Sequence, residues 1–136
     1  MHNKAGTRNT SRGIDDLGFV ANQCETEQIL VIDDKIYISH VQIRGSVPVF
    51  WEQKGLGDDI TITRSPALTK PAFRNHFLDI IQTYGRVMCV NLLRFKTKRE
   101  LRITTEYVRQ VNESELKDRI KYLNFDFHGY CGNERY

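Results

Sequence analysis

The apolar pattern of the chain changes period at Ser65-Pro66, and this change constrains the fold more than any other feature of the 136 residues. Beyond it, Phe73, Phe77, Ile80, Ile81 and Tyr84 recur at i, i+4, i+7, i+8 and i+11, one face of an amphipathic helix. Gly85 supplies the stop, because glycine accepts the backbone conformation that closes many helices. Residues 87–93 are a nearly unbroken apolar run of strand length, the pattern of a buried parallel strand. Residues 98–111 read as a second helix despite the β-branched Ile103, Thr104, Thr105 and Val108. Residues 120–127 alternate Tyr122, Asn124 and Asp126 against Leu123, Phe125 and Phe127, as a strand does. Helix, strand, helix, strand in succession predicts parallel pairing through a crossover.

Before Ser65 the period is that of strands. Residues 19–32 and 36–43 flank Asp33-Asp34-Lys35, which predicts a hairpin with a tight acidic turn. Residues 47–51 and 60–63 are shorter strand candidates, and Pro48 assigns its own strand to an edge or a start. The predicted class is α/β: a mixed sheet with an N-terminal β-meander followed by helix–strand–helix–strand, all in one domain.

A composition of 40% apolar and 27% charged residues belongs to a globular chain and excludes a disordered one. The formal net charge of +3 leaves room for anionic partners but does not announce a nucleic-acid binder, and none is expected. Cys24, Cys89 and Cys131 lack any short paired spacing, which argues against a disulfide framework and a four-ligand zinc site. No metal and no cofactor is expected, and the compartment predicted is the reducing cytoplasm. The start, MHNKAGTRNTSRG, lacks the apolar run of a signal peptide, and residues 87–93 are too short to span a bilayer, so no transmembrane segment is expected.

Several clusters carry candidate chemistry, each with a plainer alternative. Asn22, Glu25 and Glu27 fall on the first long predicted strand. There the two carboxylates share a face suited to acid–base work or metal binding, or form a solvated, ion-paired face. Arg44, Gly45 and Ser46 offer a guanidinium fork, a permissive backbone and a hydroxyl to a phosphate, or make a turn with a surface arginine. Asp126 and His128 follow a predicted strand at the edge where open α/β sheets bind ligands; alternatively Asp126 caps the next element. Arg94, Lys96, Lys98, Arg99 and Arg102 form a basic run, suited to anionic lipid or nucleic acid, or to solvating a helix start. Trp51 and Cys89 read as core. No cysteine is followed by an arginine six positions on, so a phosphate-cradling thiolate loop is missing.

These stretches together resemble the Sac-domain phosphoinositide phosphatases, most closely the synaptojanin-like branch. The pieces that carry the resemblance are AGTR (5–8), RGIDDLGFVAN (12–22), ETEQIL (25–30), VQIRGSVPVFWEQ (41–53), ITRSP (62–66), PAFRNHF (71–77), VNLL (90–93) and NFDFH (124–128). The resemblance implies a magnesium-independent phosphatase acting on phosphoinositide head groups at a membrane surface, with a cytoplasmic, membrane-peripheral location. It also implies a nucleophilic cysteine in a Cys-x5-Arg loop, downstream of the NFDFH-like segment. The chain is then expected to be a partial Sac domain, residues 1–136 forming the first part of its catalytic half, without the N-terminal subdomain or the catalytic loop. No residue of this chain is nucleophile, and turnover from it alone is not expected. Arg44 is the leading candidate to contact an anionic head group, with Lys4, Arg8 and Arg12 adding positive potential. Asn22, Glu25, Glu27, Ser46, Asp126 and His128 are expected to position the loop or bind substrate. The competing expectation is a non-catalytic basic module that binds anionic lipid or a protein partner.

Overall fold

The computed structural model describes residues 12–53, 60–94 and 97–131, with the side chains of all of these except Arg99 and His128. In chain order the elements are β1 (Cys24–Ile32), β2 (Ile36–Arg44), β3 (Trp51–Gln53), β4 (Ile60–Ile62), α1 (Pro66–Tyr84), β5 (Val87–Asn91), α2 (Lys98–Glu113), a short 3-10 turn, β6 (Ile120–Asn124) and α3 (Phe127–Cys131). The class is the expected mixed α/β. The described strands pair in twos: β1 with β2 and β3 with β4 antiparallel, β5 with β6 parallel across α2.

Local chemistry sets the element ends. Pro66 opens α1, where its missing N–H costs nothing, and Gly85, at φ 84°, closes it by donating to Ile81 C=O. Thr69, Ala72, Phe73, Phe77 and Ile81 form the buried stripe of α1, whereas Tyr84 at its end emerges into solvent. Residues 98–113 are helical because burial outweighs their weak propensity: Ile103 and Tyr107 are buried in two different clusters. The turn between β1 and β2 is closed by Lys35 N–H donating to Ile32 C=O, and both Asp33 and Asp34 take positive φ, 51° and 54°. Aspartate tolerates that conformation, which matches the twist of a hairpin.

Three expectations shift. The first strand begins at Cys24 instead of residue 19, since Asp15 Oδ1 accepts from the N–H groups of Leu17 and Phe19 and holds them in a loop. Residues 47–50 are irregular, because Pro48 has no N–H to donate and Val49 N–H turns back to Val47 C=O; strand geometry starts at Trp51. The last strand stops at Asn124, and its inward face carries Ile120 and Tyr122 while Leu123 is 43% exposed.

The main core joins α1, β5, α2 and β6 through Phe73, Phe77, Ile81, Cys89, Tyr107, Val111 and Ile120. Phe73 and Phe77 lie 4.7 Å apart between ring centres, and Tyr107 meets Tyr122 edge-on at 5.0 Å. Val49, Ile60 and Ile103 dock β4 and the 47–50 segment on α2. Ile14, Val20, Phe50 and Ala72 dock the 12–22 loop on α1.

Candidate anion-binding site

The segment RGSVPVF is organised by a loop that lies far from it in sequence. Residues 12–22 fold back on themselves through a bridge between Ile14 and Val20 and lie along residues 45–51. Ile14 N–H donates to Val49 C=O, Ala21 N–H to Gly13 C=O, and Ser46 N–H to Ala21 C=O. Gly13 N–H completes the set by donating to Ser46 Oγ at 2.8 Å.

The glycines are required by this approach. Gly13 has φ 76°, and a Cβ there would lie 2.6 Å from Val49 O. A Cβ on Gly45 would stand 2.7 Å from Val20 Cγ2. On the far side, Gly18 has φ 97° and sits so close to α1 that a Cβ would lie 2.7 Å from His76 N, while His76 Nδ1 bonds Gly18 C=O at 3.0 Å. The loop is thus clamped between α1 and the RGSVP turn. Gly45 and Ser46 serve that clamp, and their sequence neighbour Arg44 points elsewhere.

Arg44 ends β2 opposite Cys24; it is exposed and has no hydrogen-bond or ion-pair partner among the described residues. Strand alternation and the pairing register put it on the same hairpin face as Gln42, His40, Thr26 and Gln28. Glu25 and Glu27 lie on the other face and are both engaged: Tyr84 O–H donates to Glu25 Oε2 at 2.5 Å, and Ser39 O–H to Glu27 Oε1 at 2.5 Å. The Glu25 carboxylate holds the Tyr84 phenol above its ordinary pKa, since phenolate beside carboxylate is disfavoured. The face that carries Arg44 therefore has no strand carboxylate to neutralise it.

Arg64, in contrast, is committed. It forks onto both oxygens of Asp16, the second bond at 3.1 Å, and lies 3.9 Å from the centre of the Phe50 ring. The hydrogen bond from Arg64 holds the Asp16 carboxyl below its usual range.

The other sequence candidates scatter. Asn22 is not on a strand; it turns the chain at φ 57° before Cys24. Arg12 leads directly into the Gly13–Ser46 bond. Lys4 and Arg8 lie outside the described residues. Asp126 follows β6 and its Oδ1 accepts from Gly129 N–H, so it caps α3, on which His128 also lies. Tyr84, the partner of Glu25, precedes the start of β5, whereas Asp126 follows the end of its partner β6. The two acidic groups are therefore tied to opposite ends of a strand pair about 13 Å long, and form no joint centre.

One polar group went unremarked in the sequence. Asn91, at the end of β5, is 4% exposed, and its amide nitrogen has three acceptors: Thr104 Oγ1 at 3.1 Å, Tyr122 Oη at 2.8 Å and Asn124 Oδ1 at 3.2 Å. Its Oδ1 accepts from Leu93 N–H. An asparagine interrupting the run VMCVNLL was the available signal, because a buried amide must find partners. Beside it, Cys89 is buried and hydrogen-bonded by Tyr107, and burial pushes its thiol up from the ordinary value. That environment suppresses thiolate chemistry. Among the described residues no cluster of histidine, cysteine and carboxylate side chains could hold a metal, and no helix is long and apolar enough to cross a membrane.

A family model described as SacI homology domain matches residues 1–132. The chain is 46% identical over 129 residues to inositol-1,4,5-trisphosphate 5-phosphatase 1 of Schizosaccharomyces pombe, covering 92% of this chain and 12% of that protein. It is 41% identical over 128 residues to human synaptojanin-1, covering 92% and 8% respectively. It is 39% identical over 137 residues to the polyphosphatidylinositol phosphatase INP53 of Saccharomyces cerevisiae, covering 96% and 12%. The chain thus spans about a tenth of the length of these relatives.

Proposed function

The chain belongs to the SacI homology domain family, and on that footing we propose that it is the head-group-facing part of a phosphoinositide phosphatase. In this reading Arg44 contacts a phosphate of the inositol ring. The nucleophilic cysteine comes from polypeptide beyond the matched segment, as the family resemblance implies. These 136 residues alone give no turnover.

The observation that carries the reading is the exposed guanidinium of Arg44, without a partner among the described residues, on a backbone held from behind by the Gly13–Ser46 bond and the Gly45–Val20 contact. A guanidinium fork matches the geometry of a phosphate, and a fixed base reduces what must be ordered on binding. Ser46, Gly45 and Gly13 act as positioning residues. Glu25 and Glu27, on the opposite face, shape the hairpin base and need not touch substrate. The inertness of the chain by itself is supported by its thiols: Cys89 is buried with its pKa raised, and no cysteine precedes an arginine at the loop spacing.

The test is the Arg44→Ala change carried in a full-length, active family member. Losing one charge-assisted contact of about 1.5–3 kcal/mol predicts a roughly tenfold to hundredfold fall in kcat/KM with unchanged thermal stability. Unchanged kinetics would sink the assignment. Phosphate released from phosphoinositide vesicles by the 136-residue chain alone would sink the statement that it is inert. Salt-sensitive binding to anionic vesicles with Arg44-independent kinetics would favour a basic binding module instead.

A further inference from the structure

The β1–β2 hairpin is built for burial that the described residues do not provide. In its outer half Ile29, Val31 and Tyr37 lie on one face, and Leu30, Ile32, Ile36 and Ile38 on the other. All seven are between 38% and 69% exposed, and none belongs to any of the three core clusters. Each strand of the pair has one neighbour only, so the outer edges of both are open among the described residues. A solvated antiparallel pair keeps one polar face; strands apolar on both faces occur where layers cover both. The outward face of β5–β6 repeats the pattern, with Met88 62%, Val90 50% and Leu123 43% exposed.

We propose that the outer half of the hairpin is a docking element for a β-sheet supplied by polypeptide of the kind the longer relatives carry beyond the matched region. That polypeptide adds strands at the open edges and lays an apolar layer on each face. Other occupants fit less well. A second copy pairing edge to edge gives one new neighbour on one edge and leaves the other edge and the faces open. A membrane surface is disfavoured by the tip, Asp33-Asp34-Lys35, whose two carboxylates outnumber its one lysine where interfacial elements are predominantly basic. The relatives, of which this chain spans 8–12%, have chain enough to supply several strands.

Amide hydrogen exchange tests the proposal, comparing residues 29–32 and 36–38 of this chain with the matching segment of intact human synaptojanin-1. Protection slower by roughly a hundredfold or more in the intact relative is expected. Equal rates in the two proteins would overturn it. Equally slow exchange with a dimeric 136-residue chain would assign the face to a second copy, and protection appearing only with lipid vesicles would assign it to a membrane. Ile38→Asp made in both proteins is the second arm: helical circular dichroism of this chain should be unchanged, and protection in the relative should be lost. Retention of that protection would also overturn the proposal. Neither arm depends on Arg44, so a fully active Arg44→Ala enzyme would sink the functional reading and leave this one standing.

Discussion

The helical half of the molecule and its hairpin are made of equally apolar sequence and reach opposite fates. Phe73, Phe77, Ile81, Tyr107 and Val111 find one another across two helices and a parallel strand pair, each at or below 7% exposure. Among the described residues, Ile29 to Ile32 and Ile36 to Ile38 pair within their own hairpin and join no core cluster. The difference lies in geometry. A helix of 19 residues gathers its apolar stripe on one side and can close a core with a neighbour, whereas a two-stranded ribbon presents two faces and covers neither. Apolar content therefore says how much surface is to be buried, and element type says whether the chain can bury it alone.

The comparison breaks most visibly at Phe77. Its side chain is 2% exposed, and its ring meets Phe73 at a tilt and His76 edge-on. Phe77→Ala leaves a cavity in a close-packed region, and about 3–5 kcal/mol of stability should be lost. Urea unfolding followed by helical circular dichroism measures it. A loss under about 1 kcal/mol would mean that the helical half is loosely packed.

A smaller effect of the same core appears in alkali. Burial and the Tyr107–Cys89 hydrogen bond raise the Tyr107 phenol well above its ordinary value, and burial raises the Cys89 thiol. Both groups are acids whose folded pKa exceeds the unfolded one, so the unfolded chain gives up protons first. Their stabilising contribution is complete below the ordinary thiol value of 9.0 and is lost as pH rises through that value and the phenol value of 10.0. The slope reaches at most about 1.4 kcal/mol per pH unit for each group. Unfolding midpoints at rising pH should fall over this window, and less steeply in Cys89→Ala. A flat profile would place the pair in contact with water.

How much of this was legible in the sequence follows from which interactions are local. Helix α1, its proline start and its glycine stop rest on neighbours in the chain, and the sequence yielded them within a residue or two. The acidic hairpin turn was legible for the same reason, and the parallel pairing of residues 33 apart was legible from the order of helix and strand patterns. The 12–22 loop was not, because the local Asp15 bonds to Leu17 and Phe19 N–H are joined by contacts with residues 45–51 and with α1 that lie 25 to 58 residues away. The same contacts explain Gly45 and Ser46, which in the sequence look like part of a phosphate turn and in the structure hold the 12–22 loop against residues 45–51. Asn91 was hidden because its three acceptors come from two other elements, Thr104 of α2 and Tyr122 and Asn124 of β6.

The smallest expected effect is the sharpest, because it is zero on one side of the comparison. Leu30→Asp and Ile38→Asp put a charge in the outer hairpin, at side chains 57% and 49% exposed that touch no core cluster. If the two halves are as independent as their packing indicates, the stability of the 136-residue chain should stay within about 0.5 kcal/mol of the parent. Solubility should rise, since a charge interrupts an open, apolar strand edge. A loss comparable to Phe77→Ala would show that the hairpin already leans on the helical core. The division drawn above, and the need for a covering sheet, would then both fall.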